Sequence, residues 1–109
     1  MTRPRIWFVL QHRPGPAAAD GVRIMDQPLF TEHLAFLRRR AEDGTLIAAG
    51  PLEDTDTGEG EGITVLAAAS LQEARRLAEQ DDASVRSGLL AVTVRTWTVV
   101  MAPAVPPTG

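Results

Sequence analysis

The chain has 109 residues, a formal net charge of −3, and no cysteine, lysine or tyrosine. This length fits one domain, and the missing residue types exclude a disulfide scaffold, a thiolate nucleophile, a lysine Schiff base and a phenolic acid. Apolar runs are shorter than the roughly 18 residues that cross a bilayer, so we expect a soluble protein with no membrane partner, and its lack of cysteine is compatible with the cytoplasm.

The first half of the chain predicts a strand, a long loop, a helix and a second strand. Residues 5–12, "RIWFVLQH", are apolar and β-prone, and the prolines of "RPGP" end that strand because they lack a backbone donor. A loop over 13–28 leads to a helix over about 28–43, which ends near Gly44. "TLIAAG" at 45–50 is the second strand.

The second half predicts a hairpin, a shorter helix and a long last strand. Pro51 and the acidic, glycine-rich segment after it form the hairpin loop, and "ITVLAAA" is the third strand. Ser70 and Glu73 make a capping box for a helix over about 71–80. "LLAVTVRTWTVVM" at 89–101 is the fourth strand. We therefore expect one domain over residues 1–101, followed by a flexible, proline-rich tail over 102–109.

This element order, βαββαβ, predicts an α+β ferredoxin-like fold. Two right-handed crossovers place both helices on one face of a four-stranded antiparallel sheet. Both faces of the last strand carry mainly apolar residues, and the helices can cover only one face of the sheet. The second face is most simply covered by a second copy, which gives a homodimer of the dimeric α+β barrel type.

The same topology gathers titratable groups at one edge of the sheet. His33 falls within the apolar sector of the first helix, between Leu37 and Phe36 in azimuth, and not among the arginines. The end of the first strand, with His12, and the end of the second helix, with Asp81 and Asp82, reach the same edge. A histidine beside a carboxylate gains a fixed tautomer, which is how a general base is oriented.

Four segments then resemble the YciI-like (YCII-related) family of small dimeric α+β barrel proteins. They are "PGP" at 14–16, "EHLAFLRRRAEDGTLIAAGPL" at 32–52, "ASLQEARRLAEQDD" at 69–82 and "GLLAVTVRTW" at 88–97. Proteins of this family are thought to use a histidine–aspartate pair, and relatives include a cofactor-free dehydrochlorinase and, at the level of the fold, muconolactone isomerase. The resemblance implies His33 and Asp81 as the catalytic pair. The family usually has Asp-Pro after the second helix, and Asp82 takes the proline position here, so the partner carboxylate is ambiguous.

The residues expected to line a substrate pocket share the same edge of the sheet. They are His12, Pro14, Gly15, Pro16, Gly50, Pro51 and Asp82. The Pro-Gly-Pro segment either ends the first strand or acts as a rim or lid over the pocket. Gly50 is expected to allow a close backbone approach or a positive φ. His12 either lines the pocket or faces solvent, and Asp81 either pairs with His33 or bonds its own backbone in a turn.

These features predict a cofactor-independent acid/base enzyme, of lyase, dehydrochlorinase or isomerase type, acting on a small organic molecule. Phosphate-binding glycine motifs are missing, so we expect no nucleotide cofactor, and two histidines without helical i, i+4 spacing predict no metal site, although a histidine–carboxylate site stays open. Scattered arginines predict no nucleic-acid partner. Two alternatives are a non-catalytic metabolite-binding or accessory dimer and a haem or oxygen-handling enzyme of the same barrel class.

Overall fold

The computed structural model describes residues 5–53 and 60–103. Most of the acidic hairpin loop, 54–59, and most of the proline-rich tail, 104–109, lie outside the described residues. The four strands are β1 (Arg5–Pro14), β2 (Leu46–Pro51), β3 (Gly62–Leu66) and β4 (Leu90–Val99). The helices are α1 (Phe30–Glu42), α2 (Leu71–Arg76) and α3 (Ala83–Arg86), with a π-helical turn over Leu77–Asp81 and a short 3₁₀ turn over Ile24–Asp26.

The strands form one antiparallel sheet in the order β2-β3-β1-β4. This is the strand order of the ferredoxin-like fold, so the predicted fold class is confirmed. β1 lies in the centre, and His12 near its end is directly opposite Gly62 of β3 and Val92 of β4. The predicted strand and helix positions agree with the structure to within a few residues, except in the second helical region.

The core lies between the sheet and the helices. Phe8 and Leu10 of β1 face the helices, since residues two apart in a strand share a face, and they are buried together with Phe36 of α1 and Leu77. Each large apolar side chain buried in this way stabilises the fold by about 1.5–3 kcal/mol. His12 is the next residue of β1 on this face, so it lies where the apolar core ends.

The second helical region is broken where the sequence predicts one helix. The Ser70 hydroxyl accepts a hydrogen bond from the Glu73 amide at 3.0 Å, as the capping box predicts. α2 ends at Arg76, however, and the chain continues through the π-helical turn to Asp82, whose backbone is extended (φ −89°, ψ 104°). Asp82 is then the N-cap of α3. This break decides which aspartate faces α1.

The opposite face of the sheet carries a pair of tryptophans. Trp7 and Trp97 lie directly opposite each other on β1 and β4, and their rings meet edge to face at a centroid distance of 5.6 Å. Arg5 lies over the Trp7 ring at 5.7 Å. Trp97 is 44% exposed, so this face has apolar surface that the helices do not cover.

No helix in the described parts of the chain has both the length and the apolar character needed to span a bilayer.

Candidate functional site

The candidate site is centred on a buried contact between α1 and the start of α3. His33 Nδ1 lies 2.7 Å from Asp82 Oδ2, and both residues are buried. The position of His33 within the apolar sector of α1 aims its ring at the sheet, while the turn after the π-helical segment brings Asp82 toward α1. The predicted meeting of the first helix with an acidic residue beyond the second is thus present in the structure.

Asp82 is held as a carboxylate that accepts three hydrogen bonds. Its Oδ1 accepts from the Ser84 amide at 3.0 Å and from the Ser84 hydroxyl at 2.6 Å, and its Oδ2 faces His33. Burial by itself raises the pKa of Asp82, but the hydrogen bonds from His33 and Ser84 outweigh it and hold the pKa below the ordinary value of 3.8. An ionised carboxylate only accepts hydrogen bonds, so the proton between the two residues belongs to His33 Nδ1.

The tautomer of His33 follows from this contact. With Nδ1 donating to Asp82, a neutral ring has its lone pair on Nε2, which has no hydrogen-bond partner among the described residues. Histidine and carboxylate together therefore form a base whose orientation and tautomer are set by a buried anion. Asp82 also stabilises the imidazolium that forms when Nε2 takes up a proton.

The aspartate that contacts His33 is Asp82, and the expected pairing with Asp81 is wrong. The Asp81 carboxylate instead faces Arg39 at 3.3 Å and Arg40 at 3.4 Å. The reason is the extra width of the π-helical turn, which rotates Asp81 away from His33 and leaves the next residue facing it. Asp82 is the N-cap of α3, and Ala83 takes the first position of that helix.

His12 provides a second imidazole beside the pair. Its ring lies edge-on to the His33 ring at a centroid distance of 4.8 Å, and its Nε2 lies 3.2 Å from the Thr64 hydroxyl. Its Nδ1 is buried and has no hydrogen-bond partner in the part of the chain that the structure describes. Burial, with the neighbouring His33, lowers the pKa of His12 from 6.5 to about 4, and the Asp82 charge opposes this only in part. His12 is therefore neutral near pH 7.

A cavity of about 770 Å³ opens onto the two histidines. Its walls are mostly apolar and come from α1, from the loop before it and from the β2–β3 edge of the sheet. Four residues predicted to belong to the site line it: His12, His33, Gly50 and Pro51. Asp82 is fully buried behind the His33 ring and does not line the cavity.

The predicted Pro-Gly-Pro rim is placed elsewhere. Pro14, Gly15 and Pro16 do not line the cavity, because this segment continues along the chain that enters β4. The Gly15 amide donates to the Leu89 carbonyl at 2.7 Å, and a Cβ at Gly15 would lie 2.2 Å from the Gly88 carbonyl oxygen. The segment therefore fastens the end of β1 to the start of β4, as the strand-end reading predicts.

Several other residues of the cavity wall were not predicted from the sequence. From α1 and the preceding loop come Ile24, Met25, Phe30, Leu34 and Leu37. Phe30, Leu34 and Leu37 share the apolar sector of α1 with His33, so their helical spacing was a usable signal. Ile24 and Met25 belong to a loop without periodicity, and no sequence pattern indicates that they face the cavity. No atom of the described residues lies within 4 Å of the place a Cβ would take at Gly50, and its φ is not positive, so the expected conformational need for glycine there is wrong.

The buried cluster also has donor atoms that metals use. Ligand atoms of His12, His33 and Asp82 lie within 4.8 Å of one another. The Asp82 carboxylate already accepts three hydrogen bonds, which leaves one lone pair, on Oδ2, for a cation. Two imidazoles and this one oxygen make three ligands, which is fewer than a closed zinc site requires. The geometry therefore fits an acid/base pair better than a resident metal.

Comparison with known proteins agrees with this architecture. Residues 6–98 match the model of the YCII-related domain, so the chain belongs to the YCII-related family. No curated protein matches it. A solved structure of 5-chloro-2-hydroxyhydroquinone dehydrochlorinase (TftG) from Burkholderia phenoliruptrix, in complex with 2,5-dihydroxybenzoquinone, is 24% identical, with a TM-score of 0.57, and the match covers 83% of this chain and 92% of that one. This likeness shows a shared fold.

A second solved structure is SnoaB, a cofactor-independent oxygenase from Streptomyces nogalater. It is 15% identical, with a TM-score of 0.48, and the match covers 97% of this chain and 100% of that one.

Proposed function

We propose that this member of the YCII-related family is a cofactor-independent acid/base enzyme of lyase, dehydrochlorinase or isomerase type. His33 is the general base, and Asp82 orients its ring and stabilises its protonated form. The observation that carries the proposal is the 2.7 Å contact between His33 Nδ1 and Asp82 Oδ2 beside a cavity that His33 lines. A base positioned in this way contributes about 10²- to 10⁴-fold to a proton transfer.

The proposed chemistry needs only proton transfer at Nε2 of His33. In an elimination, Nε2 takes a proton from substrate carbon, the C–H electron pair becomes a new π bond, and the leaving group departs with its own bonding pair. In an isomerisation, the same proton returns to another carbon of the conjugated intermediate. Asp82 remains ionised throughout, because its pKa lies below 3.8, and it offsets the positive charge on His33.

The cavity supports a small cyclic or aromatic-derived organic substrate. Apolar residues form most of its wall, and its volume of about 770 Å³ lies within the range of small-molecule sites. His12 is neutral near pH 7, so it lines the cavity without adding a second positive charge next to the base. The name of the similar dehydrochlorinase, which refers to a chlorinated hydroxyhydroquinone, supports this substrate class.

The test compares proton-transfer chemistry in wild-type protein, His33→Asn and Asp82→Asn. Chlorinated hydroxyhydroquinones and cyclic enones serve as probes, with chloride release and absorbance changes as measurements, and Arg38→Gln is the surface control on the same helix. We expect wild type and the control to turn over the same probe, and His33→Asn to lose at least about 10²-fold. Tight binding of a probe that is recovered unchanged would support the accessory, metabolite-binding dimer instead, and equal turnover by His33→Asn would refute the base.

The proposed assembly is a homodimer through the open face of the sheet. The paired Trp7 and Trp97 rings support this, since large apolar residues on an uncovered face are typical of interfaces. Sedimentation velocity should show a dimer for wild type and a monomer for Trp97→Glu. Val22→Glu is the matched control, because Val22 is exposed to a similar extent, 46% against 44%, and lies in the loop before α1. A wild-type monomer at micromolar concentration would contradict the assembly.

A further inference from the structure

α1 makes a second ionic contact with the segment that carries Asp82. Arg40 follows His33 by seven residues, so it lies on nearly the same side of the helix, about 10 Å further along its axis. Its Nη1 is 3.4 Å from Oδ2 of Asp81, the residue directly before Asp82. Two neighbouring residues of one segment thus face three side chains of one helix, since the Asp81 carboxylate also lies 3.3 Å from Arg39 Nη2.

This ion pair is partly removed from water. The Arg40 side chain is only 13% exposed, and its guanidinium also lies 3.2 Å from the Asp43 carboxylate and 5.8 Å from the centroid of the Phe36 ring. Phe36 in turn stacks on His33 with a centroid distance of 6.2 Å. Exposed ion pairs contribute little, but partial desolvation strengthens the attraction and limits the alternative conformations of the arginine. Arg40 is therefore well placed to hold Asp81 in one position.

The segment needs such a contact because its own backbone is irregular. Asp82 has an extended conformation between the π-helical turn and α3, and helix ends leave carbonyl groups without internal partners. The Asp81 carbonyl accepts a hydrogen bond from Arg39 Nη2 at 2.8 Å. The main chain on the N-terminal side of Asp82 is thus held by side chains of α1.

We propose that Arg40 is a positioning residue for the His33–Asp82 pair. By holding the Asp81 carboxylate, it keeps the following residue within hydrogen-bond distance of His33 Nδ1. Its consequence for catalysis rests on the proposed function, whereas its effect on the contact is measurable without a substrate. Arg40 acts through Asp81 and Asp82, and it does not line the cavity.

The test measures how strongly the His33 Nδ1 proton is protected in the full-length protein. Nuclear magnetic resonance gives its downfield signal and its exchange rate with water, and the variants are Arg40→Gln, Asp81→Asn and Arg40→Lys. We expect exchange roughly tenfold faster in Arg40→Gln and Asp81→Asn, as follows from losing a partly buried, charge-assisted contact, and an intermediate rate in Arg40→Lys, which keeps the charge. Arg38→Gln, on the exposed side of the same helix, should match wild type.

Amide exchange in β1 separates positioning from general stability. Faster exchange at His33 with unchanged β1 amides supports the proposal. Wild-type exchange at His33 in folded Arg40→Gln and Asp81→Asn overturns it, even where the unfolding temperature falls. If Arg40→Gln does not fold, Arg40→Lys decides, since it alters only the Arg40 contact and leaves the Arg39 contact with Asp81 in place; a wild-type exchange rate in Arg40→Lys then overturns the proposal. If wild type has no protected Nδ1 proton, the His33–Asp82 hydrogen bond is not formed, and the proposed function is refuted as well.

Discussion

His12 makes the free energy of unfolding depend on pH in a predictable direction and by a predictable amount. The unfolded chain takes up a proton on this residue with the ordinary pKa of 6.5, while burial and the neighbouring His33 lower the folded pKa to about 4. Between these values the unfolded state binds more protons than the folded state, so the free energy of unfolding falls as the pH decreases. Each pKa unit corresponds to about 1.4 kcal/mol, so this one residue accounts for roughly 3 to 4 kcal/mol over its whole titration.

The assay is urea unfolding followed by tryptophan fluorescence at fixed protein concentration, across the window from pH 4 to 6.5 that these pKa values define. Wild type is compared with His12→Leu and His12→Gln, which cannot titrate and differ in polarity. We expect the free energy of unfolding of wild type to fall by up to about 3 kcal/mol more than that of either variant across this window. Plotted against pH, the free energies of wild type and variant should differ in slope by at most about 1.4 kcal/mol per pH unit.

The difference in free energy of unfolding between wild type and each His12 variant isolates the contribution of His12, because the other titrating groups are common to all three proteins. Well above pH 6.5 the curves should run parallel, since His12 is then neutral in both the folded and the unfolded states. Parallel curves throughout the window would refute the reasoning, because they would mean that His12 titrates in the folded protein as it does in the unfolded chain.

The remaining predictions concern the supports of the site. Ser84→Ala removes the 2.6 Å hydrogen bond to Asp82 and should lower the free energy of unfolding by about 1.5–3 kcal/mol, measured by urea unfolding near pH 7. Asp82 has a lowered folded pKa, so its contribution is present above pH 3.8 and is lost as the pH falls through the folded value, and acid unfolding of Asp82→Asn should lack that step. Gly15→Ala places a methyl group 2.2 Å from the Gly88 carbonyl oxygen and should lower the free energy of unfolding by about 1–3 kcal/mol. Gly50→Ala, whose Cβ has no atom of the described residues within 4 Å, should be as stable as wild type, and equal melting temperatures for the two glycine variants would contradict this packing.

The fold could be predicted from the sequence because a local residue pattern indicates each of its main elements. Apolar, β-prone runs mark β1 and β4, the helical spacing around His33 marks α1, and Ser70 with Glu73 marks the start of α2. Element order and the right-handed crossover rule then leave few topologies. The same reasoning brought His12 and His33 to one edge of the sheet, where the structure places their rings 4.8 Å apart.

The choice between the two aspartates was not accessible from sequence spacing. A π-helical turn has no distinct propensity signal, and it changes the azimuth of every residue that follows it. The capping pattern does not separate the two residues either, because an aspartate at either position can accept a hydrogen bond from the backbone amide two residues later; the structure has this bond at Asp82. The placement of the Pro-Gly-Pro segment away from the cavity was not predictable either, because the close approach of Gly15 to Gly88 is a packing contact between residues far apart in the chain.

The most direct measurement of the central claim is the tautomer of His33, read from the ¹⁵N chemical shifts of its two ring nitrogens in wild type and in Asp82→Asn. The structure predicts a proton on Nδ1 in the neutral wild-type ring, because Asp82 accepts there. In Asp82→Asn the side-chain amide can face Nδ1 as a donor, and the proton should move to Nε2. A wild-type ring protonated on Nε2, or a tautomer that Asp82→Asn leaves unchanged, would contradict a base oriented by this carboxylate.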